Sequence, residues 1–227
     1  MIEYTLRPIA RMESDFKEKF GIPRQAGLVE GLESRVVFEP AFANADALRG
    51  IEDFTHLWLI WQFSEAVRES WSPTVRPPRL GGNTRMGVFA TRSPFRPNAL
   101  GLSCVRLLRV ERGDRLCLVV DGADLMDGTP IYDIKPYIPY ADCHPEASVG
   151  FAPDGGKSLA VVFSPAAEAA LSEEKRAVLR AVLSRDPRPQ YQNDPTRVYA
   201  MRFADREVKF TADGDGLTVL SAEVCRP

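Results

Sequence analysis

The chain has 227 residues, 29 basic and 31 acidic side chains and a formal charge of −2. Its 44% hydrophobic and 26% charged content is ordinary for a soluble globular protein, and the length suffices for a sizeable core in one large domain, or a main domain with a small appendage. No uncharged apolar run approaches about 18 residues, so no membrane-spanning helix is expected, and with Glu3 early and no apolar stretch behind it no secretory signal is expected.

The first strand is expected over Tyr4 to Met12. Lys17 to Leu28, punctuated by Gly21, Pro23 and Gly27, reads as a loop. A second strand follows over Ser34 to Phe38, then one or two helical turns over Ala43 to Leu48. Phe54 to Phe63 (FTHLWLIWQF) is almost continuously apolar and reads as a central strand buried on both faces. Met86 to Ala90 reads as a short strand. Leu102 to Val110 and Arg115 to Val120 form a hairpin about Arg112-Gly113-Asp114, and Ile131 to Ile134 starts another strand. Short strands spaced by turns imply a mainly β fold, a β-barrel-like domain over about 1–150. Ala152 to Lys157 marks a boundary. Beyond it, 151–227 reads as a small α+β domain. It holds a strand over Leu159 to Phe163 and a helix from Ser164-Pro165 to about Leu183, with Ser164 as N-cap. Three more strands follow, over Arg197 to Phe203, Glu207 to Thr211 and Leu217 to Val224.

Several common chemistries are absent. There is no GxGxxG between strand and helix, and no P-loop, HExxH or GxSxG. With only His56 and His144, a histidine-based triad is not supported; His56, in the apolar run, reads as a core histidine. Of the four cysteines, Cys104 and Cys117 read as buried thiols in strands. Cys143 adjoins His144, but no second cluster exists to complete a metal site, so no metal is expected. Reduced thiols without a signal point to the cytoplasm.

What stands out is an arginine belt. Between Ser70 and Val110 lie Arg76, Arg79, Arg85, Arg92, Arg96, Arg106 and Arg109, with no carboxylate. Arginine beside proline and glycine puts a planar charged fork on a stiff or tightly turned backbone, which suits phosphate or carboxylate. Arg106 and Arg109 fall within a strand and read as solvent-face or interface residues. The Asp127-Gly128-Thr129-Pro130 segment is open to a plain turn or a functional one.

Residues 17–28 (KEKFGIPRQAGL), 75–103 (VRPPRLGGNTRMGVFATRSPFRPNALGLS) and 124–140 (DLMDGTPIYDIKPYIPY) resemble the TrmO family, also called TsaA-like, over about residues 1–145. Asp186 to Tyr191 resembles that family's second-domain motif. The resemblance implies a single-sheeted β-barrel methyltransferase that uses S-adenosylmethionine. It implies methylation of N6 of N6-threonylcarbamoyladenosine at position 37, in the anticodon loop of tRNA, by a homodimer. Two departures from the family pattern occur: Ser64 stands where a histidine is usual, and Asn98-Ala99 replaces Asn-Pro.

Carried over by position, cofactor contacts come from Pro23, Arg24, Gln25, Ser64, Glu65, Arg92, Leu102, Asp127, Gly128, Thr129 and Pro130. Arg92 or Arg24 would pair with the methionyl carboxylate, and Asp127 would take a ribose hydroxyl or offset the sulfonium. Arg76, Arg79, Arg85 and Arg96 are the candidates for tRNA phosphates or the threonine carboxylate. The acceptor nitrogen is urea-like and a poor nucleophile, so a base helps; Tyr137 and Asp133 are the candidates. A Lys135–carboxylate pair that closes the barrel is an equal reading of the same run. Arg188 and Tyr191 have either a substrate or a structural role. The rival classes are a non-catalytic S-adenosylmethionine-sensing or RNA-binding barrel, and a methyltransferase of this family with another acceptor.

Overall fold

The computed structural model describes residues 2–152, 158–188 and 194–225. Its strands, in chain order, begin with β1 (Ala10–Glu13), β2 (Glu33–Phe38), β3 (His56–Gln62), β4 (Thr74–Val75) and β5 (Met86–Gly87). They continue with β6 (Leu100–Arg112), β7 (Leu116–Asp121) and β8 (Pro130–Pro136), followed by the single turn α1 (Pro139–Asp142). The C-terminal part comprises β9 (Ala160–Phe163), α2 (Pro165–Ala170), α3 (Glu173–Ser184), β10 (Tyr199–Phe203), β11 (Arg206–Asp213) and β12 (Gly216–Val224).

Six strands close into an antiparallel barrel in the order β1-β2-β7-β6-β3-β8, with β8 returning to β1. Closure leaves no open edge, which removes the unpaired N–H and C=O groups that an open sheet presents. The core follows the two-residue period of the strands. Met12, Val36, Leu57, Leu59, Trp61, Val105, Leu118 and Ile131 point inward and are buried. The mainly β fold with a barrel and a small α+β part is the fold that the sequence implied.

β3 departs from its expectation. Leu57, Leu59 and Trp61 are buried, but His56 is exposed and Trp58 and Ile60 are only half-buried. The second apolar face looks out of the barrel, so His56 is not a core histidine; its Nδ1 lies 3.0 Å from Thr55 Oγ1 at the strand's start. Cys104, on β6 opposite Trp58, shares that outer face and is half-buried, while Cys117 is buried as expected. β1 is shorter than expected, because the stretch Ile2 to Pro8 does not pair; Tyr4 is exposed. Only the Met86–Gly87 part of the next expected strand pairs, and Val88–Ala90 turns into a 3-10 helix.

The helix expected over 165–183 is two helices. Ser164 does cap the first, its side chain accepting from Ala167 N. Leu171 is extended, and Ser172 then caps α3 by accepting from Lys175 N at 3.3 Å. The helices pack on a four-stranded sheet ordered β10-β11-β12-β9.

This second core is not built from the C-terminal sequence alone. Phe16, Val29 and Leu32, from the connection between β1 and β2, lie in it with Leu179, Met201, Phe203 and Phe210. Phe16 meets Phe203 edge-on at 5.8 Å, and Phe20 stacks at 6.3 Å on Phe210. Gly21 is needed there: its φ is +96°, and a Cβ would lie 2.2 Å from Met201 Cε.

Candidate functional site

A cavity of about 760 Å³ opens where three sequence-distant segments meet. The tip of the β1–β2 connection, Ile22 to Ala26, forms one wall. A second wall is the end of β3 and the turn after it, Trp61 to Ala66. The third runs from Thr91 to Arg96 and into the start of β6, and Asp124, Met126 and Thr129 complete the lining.

One hydrogen-bonded relay runs through this lining. Trp61 Nε1 donates to Ser103 Oγ at 2.9 Å, and Ser103 Oγ donates to Asp124 Oδ1 at 2.5 Å. An indole N–H only donates, so the serine oxygen accepts from it and sends its single proton to the carboxylate. Trp61 lies flat over Gly101, where any Cβ would sit 2.3 Å from Trp61 Cε2. Desolvation pushes the Asp124 carboxyl above its ordinary value, against the opposing effects of the Ser103 hydroxyl, backbone N–H groups including that of Ala26, and the Arg92 charge. Asp124 is thus a carboxylate kept out of bulk water that lacks a direct cationic partner among the described residues. A small cation placed here would relieve it.

The wall from the β1–β2 connection is tied down by the C-terminal part. Arg24 Nη2 donates to the carbonyls of Arg188 at 3.0 Å and Asp186 at 3.3 Å. Arg92 donates to Gln25 Oε1, joining this wall to the 91–96 segment. Lys19 Nζ donates to the Glu65 carbonyl at 2.9 Å, joining it to the turn after β3.

Of the residues named from sequence, Pro23, Arg24, Gln25, Ser64, Glu65, Arg92, Leu102 and Thr129 line the cavity, as does Arg96. Ser64 and Glu65 form a 3-10 turn directly after β3. The structure does not bring Asp127, Gly128 and Pro130 into this lining. Asp127 faces a different, smaller groove, where its carboxylate accepts from Ser14 N at 3.0 Å and pairs with Lys17 Nζ at 2.8 Å. Gly128, at φ +75°, turns the chain and donates to Met12 O, and Pro130 begins β8. Arg76, Arg79 and Arg85 lie outside the lining, on the long excursion between β3 and β6.

Asp133 and Tyr137 also lie outside it. Asp133 pairs with Lys135 at 3.1 Å, the alternative open from the sequence. Tyr137 has its ring 5.7 Å from Trp58, and its hydroxyl pKa is raised, first by desolvation and then by a hydrogen bond to Cys143. Arg188 is buried, with its guanidinium bidentate on Asp186 at 2.8 and 3.0 Å, which is a structural role. Tyr191 falls outside the described residues.

Sequence reading missed Asp124, Ser103, Trp61 and Gly101. Asp124 opens the 124–140 motif, yet nothing in its spacing sets it apart from Asp127 three residues on. Ser103 and Gly101 close the 75–103 motif, but nothing in the sequence gives either a role of its own. Only the register of β3 against β6, which pairs Trp61 with Gly101, makes them one unit. Among the described residues no three histidine, cysteine or acidic side chains converge as metal ligands, and no helix is long and apolar enough to cross a membrane.

The comparisons with known proteins cover nearly the whole chain. The profile of the tRNA-methyltransferase O N-terminal domain matches residues 11–143, and that of the TrmO C-terminal domain matches 156–224. A protein of Escherichia coli (strain K12) named tRNA (adenine(37)-N6)-methyltransferase is 41% identical over 98% of this chain and 99% of its own length. An Eikenella corrodens protein of the same name is 46% identical over 74% of this chain and 96% of its own. A crystal structure of TrmO from Pseudomonas aeruginosa superposes with a TM-score of 0.83 and 33% identity, over 99% of both chains. The two-part architecture, the motif-lined cavity and these matches agree, and the chain belongs to the tRNA-methyltransferase O family, a family of tRNA methyltransferases.

Proposed function

We propose that this chain transfers a methyl group from S-adenosylmethionine to N6 of N6-threonylcarbamoyladenosine at position 37 of tRNA. The observation that carries the reading is the cavity, which gathers the 22–26, 61–66, 91–96 and 100–104 segments around a half-buried carboxylate. A Pseudomonas aeruginosa relative, 42% identical over 90% of this chain, is assigned by name to the S-adenosylmethionine-dependent methyltransferases. The 1–150 part is the cofactor-binding catalytic unit and 151–227 the supporting α+β unit. Homodimers in the cytoplasm follow from the same family reading.

The residues fit the cofactor. About 760 Å³ falls within the range of about 300–1,000 Å³ usual for small-molecule sites. Arg92 and Arg24 offer forks for the methionyl carboxylate. Backbone groups of Pro23 to Ala26 suit the edge of an adenine. Asp124 takes the role first given to Asp127, because the Asp127 carboxylate is already engaged by Ser14 and Lys17 while Asp124 faces the cavity. The Asp127–Pro130 turn contributes through Thr129, whose carbonyl accepts from Met12 N at 2.9 Å.

When bound, S-adenosylmethionine supplies an electrophilic methyl carbon on a positively charged sulfur. Asp124, positioned by Ser103 and Trp61, would supply the opposite charge. Alignment of donor and acceptor contributes much of such catalysis. Asp133 and Tyr137 remain the side chains to test for removal of the N6 proton; the Tyr137 ring packs against Trp58, which lines the cavity. A Tyr137→Phe variant with unchanged turnover removes Tyr137 from the mechanism.

The deciding experiment is mass spectrometry of tRNA nucleosides from a strain lacking the gene. Loss of the N6-methylated threonylcarbamoyladenosine, restored by the gene, is the expected result. An unchanged nucleoside profile overturns the proposal.

A further inference from the structure

The excursion between β3 and β6 leaves three aromatic rings open to solvent. Trp71 is 51% exposed, Phe89 71% and Phe95 38%. Rings of this size are seldom left in one neighbourhood without a partner. Trp71 and Phe89 form a shelf, with centroids 6.0 Å apart and planes at 31°. The shelf is built by the small β4–β5 sheet, which pairs Thr74 with Gly87 and Val75 with Met86. Val88 is buried and donates to Pro73 O at 2.9 Å, which fixes the residues on both sides.

Arginines accompany the rings. The Arg68 guanidinium lies 3.8 Å over Phe95, and that of Arg96 lies 5.9 Å from Phe89. Arg96 is held in place by the carbonyls of Thr91 at 2.8 Å and Val88 at 3.4 Å. Three arginines of the β6–β7 hairpin behave otherwise: Arg109, Arg112 and Arg115 pair with Glu33, Glu52 and Glu13. Arg68, Arg76, Arg85, Arg92 and Arg96 make no ion pair with a carboxylate among the described residues. The charge of those three guanidiniums is neutralised, and that around the rings is left open.

We infer that Trp71 and Phe89 form a stacking platform for unpaired bases of single-stranded RNA, with Arg68, Arg76, Arg85 and Arg96 on the phosphates. This rests on the reading under Proposed function and names how that substrate is held. Unpaired RNA offers both things that the surface lacks, flat π faces for the rings and anions for the guanidiniums. An acidic protein would satisfy the arginines but leave the shelf bare. Phe95 and Arg96 also line the cavity, so the platform is continuous with it. Bases beside the target stack on the shelf while the target enters the cavity, which lowers the cost of unstacking it.

The test uses the full chain, Trp71→Ala, Phe89→Ala, the double variant and Trp71→Phe. The probe is a tRNA anticodon stem-loop, titrated by fluorescence anisotropy at several salt concentrations. Calorimetry with S-adenosylmethionine and sedimentation of each variant run alongside. Each alanine is expected to weaken RNA binding roughly 10-fold, the low-to-middle part of the range for a lost base stack. Trp71→Phe retains most of the affinity. The slope of log Kd against log salt stays at the wild-type value in the aromatic variants. It falls by about one in Arg76→Ala and in Arg85→Ala. Cofactor affinity is unchanged throughout. Wild-type RNA affinity in the double variant overturns the platform, and so does a change of oligomeric state, which would make this face a contact between copies. If the wild-type chain methylates tRNA and the double variant binds normally, only the platform fails. If the wild-type chain neither binds nor methylates RNA, the function proposed above fails with it.

Discussion

Asp124 shows what a single residue does in this fold. Its carboxyl is pushed above its ordinary value, first by desolvation. For an acid this means that the folded chain holds the proton more tightly than the unfolded chain does. Stability from this group is full below the unfolded value of about 3.9. It declines as pH rises toward the raised folded value. Asp124→Asn removes the decline while keeping an oxygen to accept from Ser103. The variant is expected to be at least as stable as the parent in thermal unfolding at neutral pH. Its S-adenosylmethionine affinity is expected to fall about 10-fold or more, in line with losing a charged partner in a desolvated site. A variant that binds the cofactor normally would remove Asp124 from the site. Gly101→Ala tests the neighbouring contact, since its Cβ would strike the Trp61 ring at 2.3 to 2.7 Å. Relief requires Trp61 to shift and should cost about 1–3 kcal/mol. Denaturant titration gives the loss, and a shift in tryptophan emission shows the moved ring. At this scale the sequence was legible where a motif carried a charged or amide side chain, as with Arg24, Gln25 and Arg92. It was silent on Ser103 and Gly101, whose roles come from a partner across the sheet.

At the scale of elements, periodicity was read well in kind and less well in facing. FTHLWLIWQF is apolar on both sides, which fits a strand buried on both faces. In a closed barrel one of those sides is the outside, and there Trp58 and Leu102 serve the cavity wall. The helix after Ser164-Pro165 was expected to run unbroken, because 165–183 contains no internal proline or glycine. Ser172 breaks it by capping a second helix, and the break lets Ala167 and Leu171 on one side, and Leu179, Val182 and Leu183 on the other, reach one core. Ser172→Ala should therefore destabilise the chain by about 1 kcal/mol, the usual worth of an N-cap side chain, as measured by urea unfolding. No change would mean that packing alone sets the boundary between α2 and α3. Both helices pack on the β9–β12 sheet beneath, a contact that no local pattern describes.

At the scale of the whole molecule the two cores are interlocked by one connection. Residues between β1 and β2 place Phe16, Val29 and Leu32 in the C-terminal core and Pro23 to Ala26 in the cavity wall. The Arg24 anchor consists of carbonyls from Asp186 and Arg188, and the latter is itself clamped by Asp186 and donates to Ala212 O. A truncated 1–150 chain is thus expected to expose Phe16, Val29 and Leu32 and lose the Arg24 anchor. Calorimetry should show S-adenosylmethionine affinity lowered at least 10-fold, by the conformational freedom returned to the 22–26 wall. An unaltered affinity would show that the barrel holds this wall alone. By itself the sequence determined the mainly β character, the family and part of the cavity's lining, Arg24, Gln25 and Arg92 among it. These reside in short-range signals: alternation, turn residues and contiguous motifs. Only the tertiary structure decided that Asp124 rather than Asp127 faces the cavity, that the second face of β3 is an outer wall, and that the β1–β2 connection belongs to the C-terminal core. Each depends on what the other side of a residue meets, and contact across the fold is not encoded in spacing along the chain.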